Sequence, residues 1–162
     1  MSKMRIGHGY DSHRFEAGRR LVLGGVEFPG EDGLMGHSDA DVLIHAVIDA
    51  LLGAAGLGDI GSHFPDTDLR WKDADSAQLL AAVVAEVVGA GWRVGNIDVT
   101  VVCERPRLRD RVDEIRVRLA SLLGVAVGAV SVKGKSNEKM DDVGSGLGIE
   151  AYAVCLLEEV AR

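Results

Sequence analysis

The chain has 162 residues, of which 47% are hydrophobic, so it is long enough to bury a core and too apolar to be disordered. Its formal net charge of −7 at pH 7 argues against general nucleic-acid binding, but it does not exclude a single small phosphorylated ligand. Cys103 and Cys155 both lie in apolar runs, which predicts buried thiols in a reducing compartment rather than a disulfide framework.

The apolar runs are all shorter than the roughly 20 residues that a membrane span requires. The first strand is expected within a few residues of Met1, which leaves no room for a signal peptide. We therefore expect one domain over residues 1–162 in a cytoplasmic protein, with neither a membrane nor a nucleic acid as a partner.

The spacing of apolar residues predicts strands alternating with helices. In chain order we expect a strand over 4–9, a tight hairpin over 21–28, a helix over 38–54, a glycine-rich loop over 56–68, a helix over 76–88, a strand over 97–104, a helix opening at Pro106, and strands over 129–136 and 149–158. This order predicts an α+β fold. We expect a two-layer sandwich, in which one mainly four-stranded sheet carries helices on one face.

Asp11 and His13 stand two residues apart in the run GHGYDSHRF, which occupies positions 7–15. If the backbone is extended there, side chains at i and i+2 lie on the same face of the strand. The two side chains then project into one shared space. Carboxylate and imidazole are both zinc ligands, so this space is a candidate metal site.

The helix expected over 38–54 is apolar on nearly all sides, which predicts that it is buried. Ser38 followed by Asp41 fits a capping box at its start. Asp41, His45 and Asp49 stand four residues apart and form its one polar stripe. A lone histidine on such a helix is more often a hydrogen-bonded core residue than a ligand. The pair Asp11 and His13 reverses that preference.

Asp11, His13 and His45 are three ligands of the kind that zinc takes in catalytic sites, where the fourth position is open. Asp49 follows His45 by one turn and is predicted to hold its second ring nitrogen from outside the coordination sphere. A structural zinc would need a fourth protein ligand, and neither cysteine stands in a zinc-type pair.

Three further segments each allow two interpretations. The loop over 56–68 is either an ordinary connection or a flexible cover that holds hydroxyls and phosphates. The arginines at 105, 107, 109 and 111 form either a solvated face or a phosphate contact. The run KGKSNEK at 133–139 is either a polar strand exit or part of a site at the strand end.

Four segments together resemble the family of 2-C-methyl-D-erythritol 2,4-cyclodiphosphate synthases, and the resemblance extends over essentially the whole chain. They are RIGHGYDSHRF (5–15), GHSDADVLIHAVIDALLGAAGLGDIGSHFPDTD (36–68), DVTVVCERP (98–106) and KGKSNEK (133–139). The resemblance implies a homotrimer with active sites between adjacent subunits. It also implies one zinc per chain on Asp11, His13 and His45, in agreement with the ligand types.

The implied reaction converts 4-diphosphocytidyl-2-C-methyl-D-erythritol 2-phosphate to 2-C-methyl-D-erythritol 2,4-cyclodiphosphate and CMP. The 2-phosphate attacks the β-phosphorus of the same molecule. The resemblance implies that His37 and Ser136 stabilise the transition state and that Glu138 binds a second divalent ion, magnesium or manganese. The implied substrate contacts are Asp11, Ser12, His13, His37, Ser38, Asp59, Ile60, Gly61, Phe64, Pro65, Asp66, Thr67, Asp68, Cys103, Glu104, Arg105, Pro106, Arg107, Leu108, Arg109, Lys135, Ser136, Asn137 and Glu138.

The sequence departs from the family pattern after Glu138. The family has a glycine-phenylalanine pair and a Gly-Arg-Gly turn, whereas this chain has MDDVGSGLG at 140–148, with Asp141, Asp142 and Ser145 in the changed positions. In relatives the arginine lines a central trimer channel that can hold a prenyl diphosphate. Neither Asp142 nor Ser145 supplies a positive charge, so channel binding is not implied here.

Two other functions are compatible with the residues. A metal-dependent phosphoesterase would use the same metal site to activate water, and it would need a general base beside the open position. A trimeric binding protein without catalysis would instead require a closed, structural zinc site.

Overall fold

The computed structural model describes residues 3–160, which form an α+β fold, as the sequence predicts. In chain order the elements are β1 Met4–Glu16, β2 Val22–Leu23, β3 Val26–Glu27, β4 Gly33–Leu34, α1 Val42–Ala55, α2 Ile60–His63, α3 Ser76–Gly89, β5 Trp92–Val102, α4 Val112–Leu123, β6 Val130–Lys135, α5 Asp141–Gly144 and β7 Gly148–Glu159. Short 3-10 turns occupy Leu69–Trp71, Leu108–Arg111 and Val127–Ala129.

The main sheet has the strand order β4-β1-β7-β5-β6. All neighbours are antiparallel except β5 and β6, which are parallel. The sheet has five strands rather than the four expected, because the sequence did not predict β4. It pairs only Gly33 and Leu34 with the end of β1, and two residues are too few to show a periodic pattern.

Strand β1 is longer than predicted, because it continues past Gly9 to Glu16. Its residues pair one by one with β7 from Met4 to Arg14, so the backbone is extended at Asp11 and His13. The condition for a shared face is therefore met. The predicted hairpin also forms, with β2 and β3 joined through Gly24 and Gly25, both of which have positive φ.

Helix α1 lies directly on β1. A Cβ atom at Gly7 would overlap the carbonyl oxygen of Ala50, and one at Gly9 would overlap that of Ala46. Two glycines on the inner face of β1 thus permit a close approach of the helix backbone. This packing sets His45, the neighbour of Ala46, above the strand that carries Asp11 and His13.

The start of α1 corrects a prediction. The helix begins at Val42 and is capped by Asp41, whose carboxylate accepts a hydrogen bond from the backbone N–H of Ile44. The Ser38 hydroxyl instead accepts from the N–H of Ala40, which has a φ of 55°. The expected capping box at Ser38 is therefore wrong, because a left-handed residue interrupts the chain before the helix can form.

The other helices follow the predicted order with different ends. Helix α3 begins at Ser76 as expected, whereas α4 begins at Val112 after a 3-10 turn rather than at Pro106. The short helix α5 was not predicted. Among residues 3–160, no helix combines the length and the apolar character that crossing a membrane requires.

The face of the sheet opposite the helices is apolar and exposed. Side chains of β1 and β7 that alternate away from the core include Met4, Ile6, Tyr10, Tyr152 and Val154, each at least 38% exposed. We call these five residues the apolar sheet face. Exposed apolar patches of this kind mark sites where another surface packs.

Candidate active site

Asp11, His13 and His45 converge at the junction of β1 and α1. One ligand atom from each lies within 4.8 Å of the others. The Asp11 Oδ2 atom is 2.8 Å from His13 Nε2 and 3.1 Å from His45 Nδ1, and the two ring nitrogens are 3.3 Å apart. The structure thus brings together the three residues that the sequence selects as metal ligands.

The surroundings of His13 suit a metal ligand. Its Nδ1 atom lies 2.6 Å from the carbonyl oxygen of Met35, and a carbonyl can only accept, so Nδ1 donates its proton there. The lone pair of a neutral ring is then on Nε2, which faces Asp11. Metal-binding histidines are commonly held in this way by an acceptor on the second nitrogen.

The charge at Asp11 also suits a cation. Burial opposes ionisation of this carboxyl, but hydrogen bonds with His13 and His45 outweigh that effect and lower its pKa to about 2. Burial likewise opposes charge on His13, yet its hydrogen bond with Asp11 raises its pKa. The anionic oxygen of Asp11 thus lies beside two ring nitrogens, which is a donor set that zinc accepts once the rings have released their protons.

The position of Asp49 corrects a further prediction. Its carboxylate accepts from the backbone N–H of Ile60 at 2.8 Å, and Ser76 Oγ lies 2.9 Å from His45 Nε2 in its place. Side chains on a helix lean toward its N-terminus, so the ring of His45 reaches toward Ser38 and α3 and away from the following turn. Asp49 instead anchors the loop that contains Asp59 to Gly61.

A cavity of about 480 Å³ surrounds the three ligands, and we call it the metal cavity. Its lining is Asp11, His13, Gly36, His37, Ser38, His45, Ile60, Gly61, Phe64, Pro65, Asp66, Trp71 and Leu79. Trp71 and Leu79 were not among the predicted site residues. Nothing in a single sequence distinguishes an aromatic or leucine in a cavity wall from one in the core.

His37 and the 59–68 segment are ordered by hydrogen bonds within the chain. His37 Nε2 donates to the backbone oxygen of Asp68 at 3.1 Å, and the Asp68 carboxylate pairs with Arg70. Asp59 caps the short helix α2 by accepting from the N–H and the hydroxyl of Ser62. Thr67 is exposed. This segment borders the metal cavity with its structure already formed.

A second cavity, of about 580 Å³, lies where β6 ends, and we call it the arginine-loop cavity. Its lining is Cys103, Glu104, Pro106, Arg107, Leu108, Arg109, Val112, Lys133, Gly134, Lys135 and Ser136. Within residues 3–160 it shares no lining residue with the metal cavity. The structure therefore places most of the predicted substrate contacts around two separate cavities of one chain.

Glu104 joins the two segments that border the arginine-loop cavity. Its carboxylate accepts from the backbone N–H groups of Asn137 at 3.1 Å and Lys139 at 3.4 Å. The Ser136 hydroxyl donates to Glu138 at 3.0 Å, and Glu138 is exposed with a φ of 51°. Residues 103–109 and 135–139 thus form one connected unit.

Three of the predicted contacts have environments that the sequence did not reveal. The Arg105 guanidinium pairs with Glu31 and Asp32 and lies 4.2 Å from the centre of the Phe15 ring. Burial raises the pKa of the Cys103 thiol to about 12, so it remains protonated and serves as wall rather than nucleophile. Ser12 alternates away from the metal cavity and lines another depression with Arg14 and Glu150.

Comparison with known proteins gives a consistent result. Residues 4–158 match the model of the YgbB family. The chain is 54% identical to the 2-C-methyl-D-erythritol 2,4-cyclodiphosphate synthase of Neisseria gonorrhoeae over 160 residues, which cover 99% of this chain and all of that protein. It is 59% identical to the bifunctional enzyme IspD/IspF of an Anaeromyxobacter species over 155 residues, covering 96% of this chain and 40% of that enzyme.

The fold is likewise similar to solved structures. The IspF of Plasmodium falciparum, solved as a CDP complex, superposes with a TM-score of 0.87 at 30% identity and covers 99% of both chains. The chain spans less than half of the bifunctional relative and the full length of the Neisseria protein.

Proposed function

The chain belongs to the YgbB family, and from this premise we propose that it is a 2-C-methyl-D-erythritol 2,4-cyclodiphosphate synthase, a phosphorus–oxygen lyase of isoprenoid biosynthesis. The observation that carries the proposal is the convergence of Asp11, His13 and His45 in the metal cavity, beside the segment that contains His37 and Ser38. The substrate is 4-diphosphocytidyl-2-C-methyl-D-erythritol 2-phosphate.

The reaction is an internal phosphoryl transfer. An oxygen of the 2-phosphate forms a bond to the β-phosphorus, the bond from that phosphorus to the bridging oxygen breaks, and CMP leaves with the bridging oxygen. The 2-phosphate is already an anion at neutral pH, so no residue has to remove a proton from it. The products are CMP and the cyclic diphosphate.

Asp11, His13 and His45 would hold zinc, one ion per chain. Glu138 would supply a hard oxygen ligand of the kind that magnesium or manganese prefers. When bound, the two cations supply positive charge that offsets the charge gathered on the diphosphate.

The contribution of the protein is mainly to orient the substrate. His37 is fixed by its bond to Asp68 O, and with Ser136 it contacts the reacting phosphates. Segment 59–68 holds the methylerythritol part, and the unit of 103–109 with 135–138 holds the cytosine and its phosphates. Correct alignment of reacting groups can lower a barrier by roughly 7–11 kcal/mol. The CDP bound to the P. falciparum relative supports a cytidine-linked substrate.

The proposed assembly is a homotrimer. Two observations support it: the apolar sheet face is exposed in one chain, and the metal and arginine-loop cavities are separate in that chain. Packing of apolar sheet faces against each other would bury them. In the proposed trimer, the arginine-loop cavity of one subunit and the metal cavity of the next together form one active site. We place this single-domain protein in the cytoplasm, without nucleic acid or membrane partners.

Phosphorus NMR of the products tests the function. The protein is incubated with the cytidine substrate, zinc and magnesium, and the cyclic diphosphate and CMP are expected in equal amounts. A linear phosphate product would contradict the proposal and support a metal-dependent phosphoesterase. No turnover by protein with full zinc content would support the binding protein instead.

A further inference from the structure

The second ring nitrogen of His45 faces a buried serine, Ser76, which is in turn bonded to the partly buried Asp39, and the proposed reaction uses neither side chain. His45 Nε2 lies 2.9 Å from Ser76 Oγ, and Ser76 is completely buried at the first position of α3. The Ser76 hydroxyl in turn contacts Asp39 Oδ1 by a short hydrogen bond. Asp39 precedes α1 and His45 lies in its first turn, whereas Ser76 comes from α3, which is remote in sequence.

Asp39 acts here only as an acceptor. Its Oδ2 atom accepts from the backbone N–H of Ser76 at 3.0 Å, and Oδ1 accepts from the N–H of Asp41 at 3.1 Å. An ionised carboxylate has no proton to give, so the hydroxyl proton of Ser76 must point to Asp39. The Ser76 oxygen is left with lone pairs only for its other neighbour, His45.

The direction of this chain of hydrogen bonds determines the tautomer of His45. Because Ser76 can only accept from the ring, His45 Nε2 must carry a proton and donate it. In the neutral ring the lone pair is then on Nδ1, the atom that lies 3.1 Å from Asp11 Oδ2. The neighbouring Ser38 hydroxyl, at 3.2 Å from Nε2, could donate or accept and does not decide the direction by itself.

We propose that Ser76 and Asp39 are positioning residues that hold His45 in the tautomer and orientation required of a metal ligand. This inference rests on the metal site proposed above. It gives His45 the same kind of support that the Met35 carbonyl gives to His13. Once neutral, each ring has its lone pair on the nitrogen beside Asp11, where a cation would replace the proton that is shared with the Asp11 carboxylate.

Zinc affinity tests the role of the hydroxyl. Competition with a chromophoric chelator should show a zinc dissociation constant about 10–100-fold higher in Ser76→Ala than in wild type, which is the usual cost of removing an outer partner of a metal ligand. Ser76→Thr keeps the hydroxyl and should restore most of the affinity. Asp39→Asn should weaken zinc binding too. The carboxylate of Asp39 accepts from the Ser76 hydroxyl and from the N–H groups of Ser76 and Asp41, and an amide NH₂ in its place must face at least one of these donors.

A matched control separates the metal role from helix stability. The Asp75 carboxylate caps the same helix by accepting from the N–H of Ala77 at 2.9 Å and takes no part in the chain to His45. Asp75→Ala should therefore destabilise α3 without changing zinc affinity. If Asp75→Ala weakens zinc binding as much as Ser76→Ala, or if Ser76→Ala binds zinc as wild type does, the inference is wrong.

Nitrogen NMR gives a direct measurement of the tautomer. Long-range proton–nitrogen spectra of zinc-loaded wild type should show a protonated Nε2 and a metal-bound Nδ1 in His45. Coordination through Nε2 would overturn the inference while leaving the metal site in place. Product analysis of wild type tests the proposed function separately. The protein can form the cyclic diphosphate even if the zinc-affinity and NMR measurements show that Ser76 has no role in holding His45.

Discussion

At the scale of single residues, the surroundings of Asp11 and Asp41 shift the pKa values of these two carboxyls in opposite directions. Asp11 is partly buried beside two histidines, and its pKa falls to about 2. Asp41 is fully buried, and burial followed by the nearby charge of Asp39 raises its pKa to about 6, although the N–H groups of Ile44, Gly25 and Gly24 favour its charged form. The first residue is suited to a cation, whereas the second is a structural cap.

The raised pKa of Asp41 predicts a pH effect on stability. Its folded pKa exceeds the ordinary value of 3.8, so the folded state binds more protons between about pH 4 and 6 and this carboxyl costs stability as pH rises through that range. Relative to Asp41→Asn, the unfolding free energy of wild type should decline by up to about 3 kcal/mol between pH 4 and 7. Urea denaturation across this range measures it. Parallel pH profiles for the two proteins would contradict the assignment.

Glu138 allows the two proposed cations to be distinguished. In Glu138→Gln an amide oxygen can still coordinate but carries no charge, so magnesium should bind more weakly in the substrate complex. Turnover should fall steeply at low magnesium and recover in part at high magnesium, with zinc content unchanged. Asp11→Asn is the comparison, because added magnesium cannot replace a zinc ligand. A Glu138→Gln enzyme with the wild-type magnesium dependence would leave Glu138 without a metal role.

At the scale of elements, the contact between β1 and α1 is what assembles the proposed metal site. The strand supplies Asp11 and His13, the helix supplies His45, and the glycines of β1 allow the two backbones to approach. The site therefore depends on a packing distance and not only on its ligands. A change that separates the strand from the helix should damage metal binding without touching any ligand.

Gly9→Ala provides that change. Its Cβ would overlap the carbonyl oxygen of Ala46, so we expect a loss of about 1–3 kcal/mol in unfolding free energy and a lower zinc content. Gly89→Ala is a matched control, since a Cβ at Gly89 meets open space at the end of α3. Urea denaturation and metal analysis of both variants make the comparison. Normal zinc content in Gly9→Ala would show that the close approach is not required.

At the scale of the whole molecule, the two separate cavities are the basis of the proposed homotrimer. The arginine-loop cavity and the metal cavity lie apart, and the apolar sheet face is open to solvent in a single chain. In a closed ring of identical subunits, every interface joins one surface of a subunit to a different surface of its neighbour. A shared active site between neighbours is the expected consequence.

Subunit mixing tests the shared site. His45→Ala inactivates the metal half, and the double variant Lys135→Ala with Ser136→Ala inactivates the other half at exposed positions that leave the core intact. Random mixed trimers should recover about a quarter of wild-type activity, because each site takes its halves from two chains. No recovery in trimers verified as mixed by native mass spectrometry would mean that each site lies within one subunit.

The sequence by itself determined the features that depend on local periodicity. Alternation along β1 placed Asp11 and His13 on one face, and the apolar character of α1 predicted that His45 would be buried. The order of strands and helices predicted the two-layer α+β fold. These properties follow from the residue periodicity of strands and helices, which can be recognised within a short segment of sequence.

Only the tertiary structure decided which polar group meets which atom. Ser76 rather than Asp49 contacts His45, Asp41 rather than Ser38 caps α1, and Arg105 is paired with Glu31 and Asp32. The separation of the metal cavity from the arginine-loop cavity was likewise decided only by the tertiary structure. The contacts of Ser76 and Arg105 depend on how segments far apart in sequence pack together, because a buried polar atom must find a partner wherever the packing supplies one. The cap of α1 instead depends on the left-handed backbone of Ala40, which the sequence pattern does not reveal.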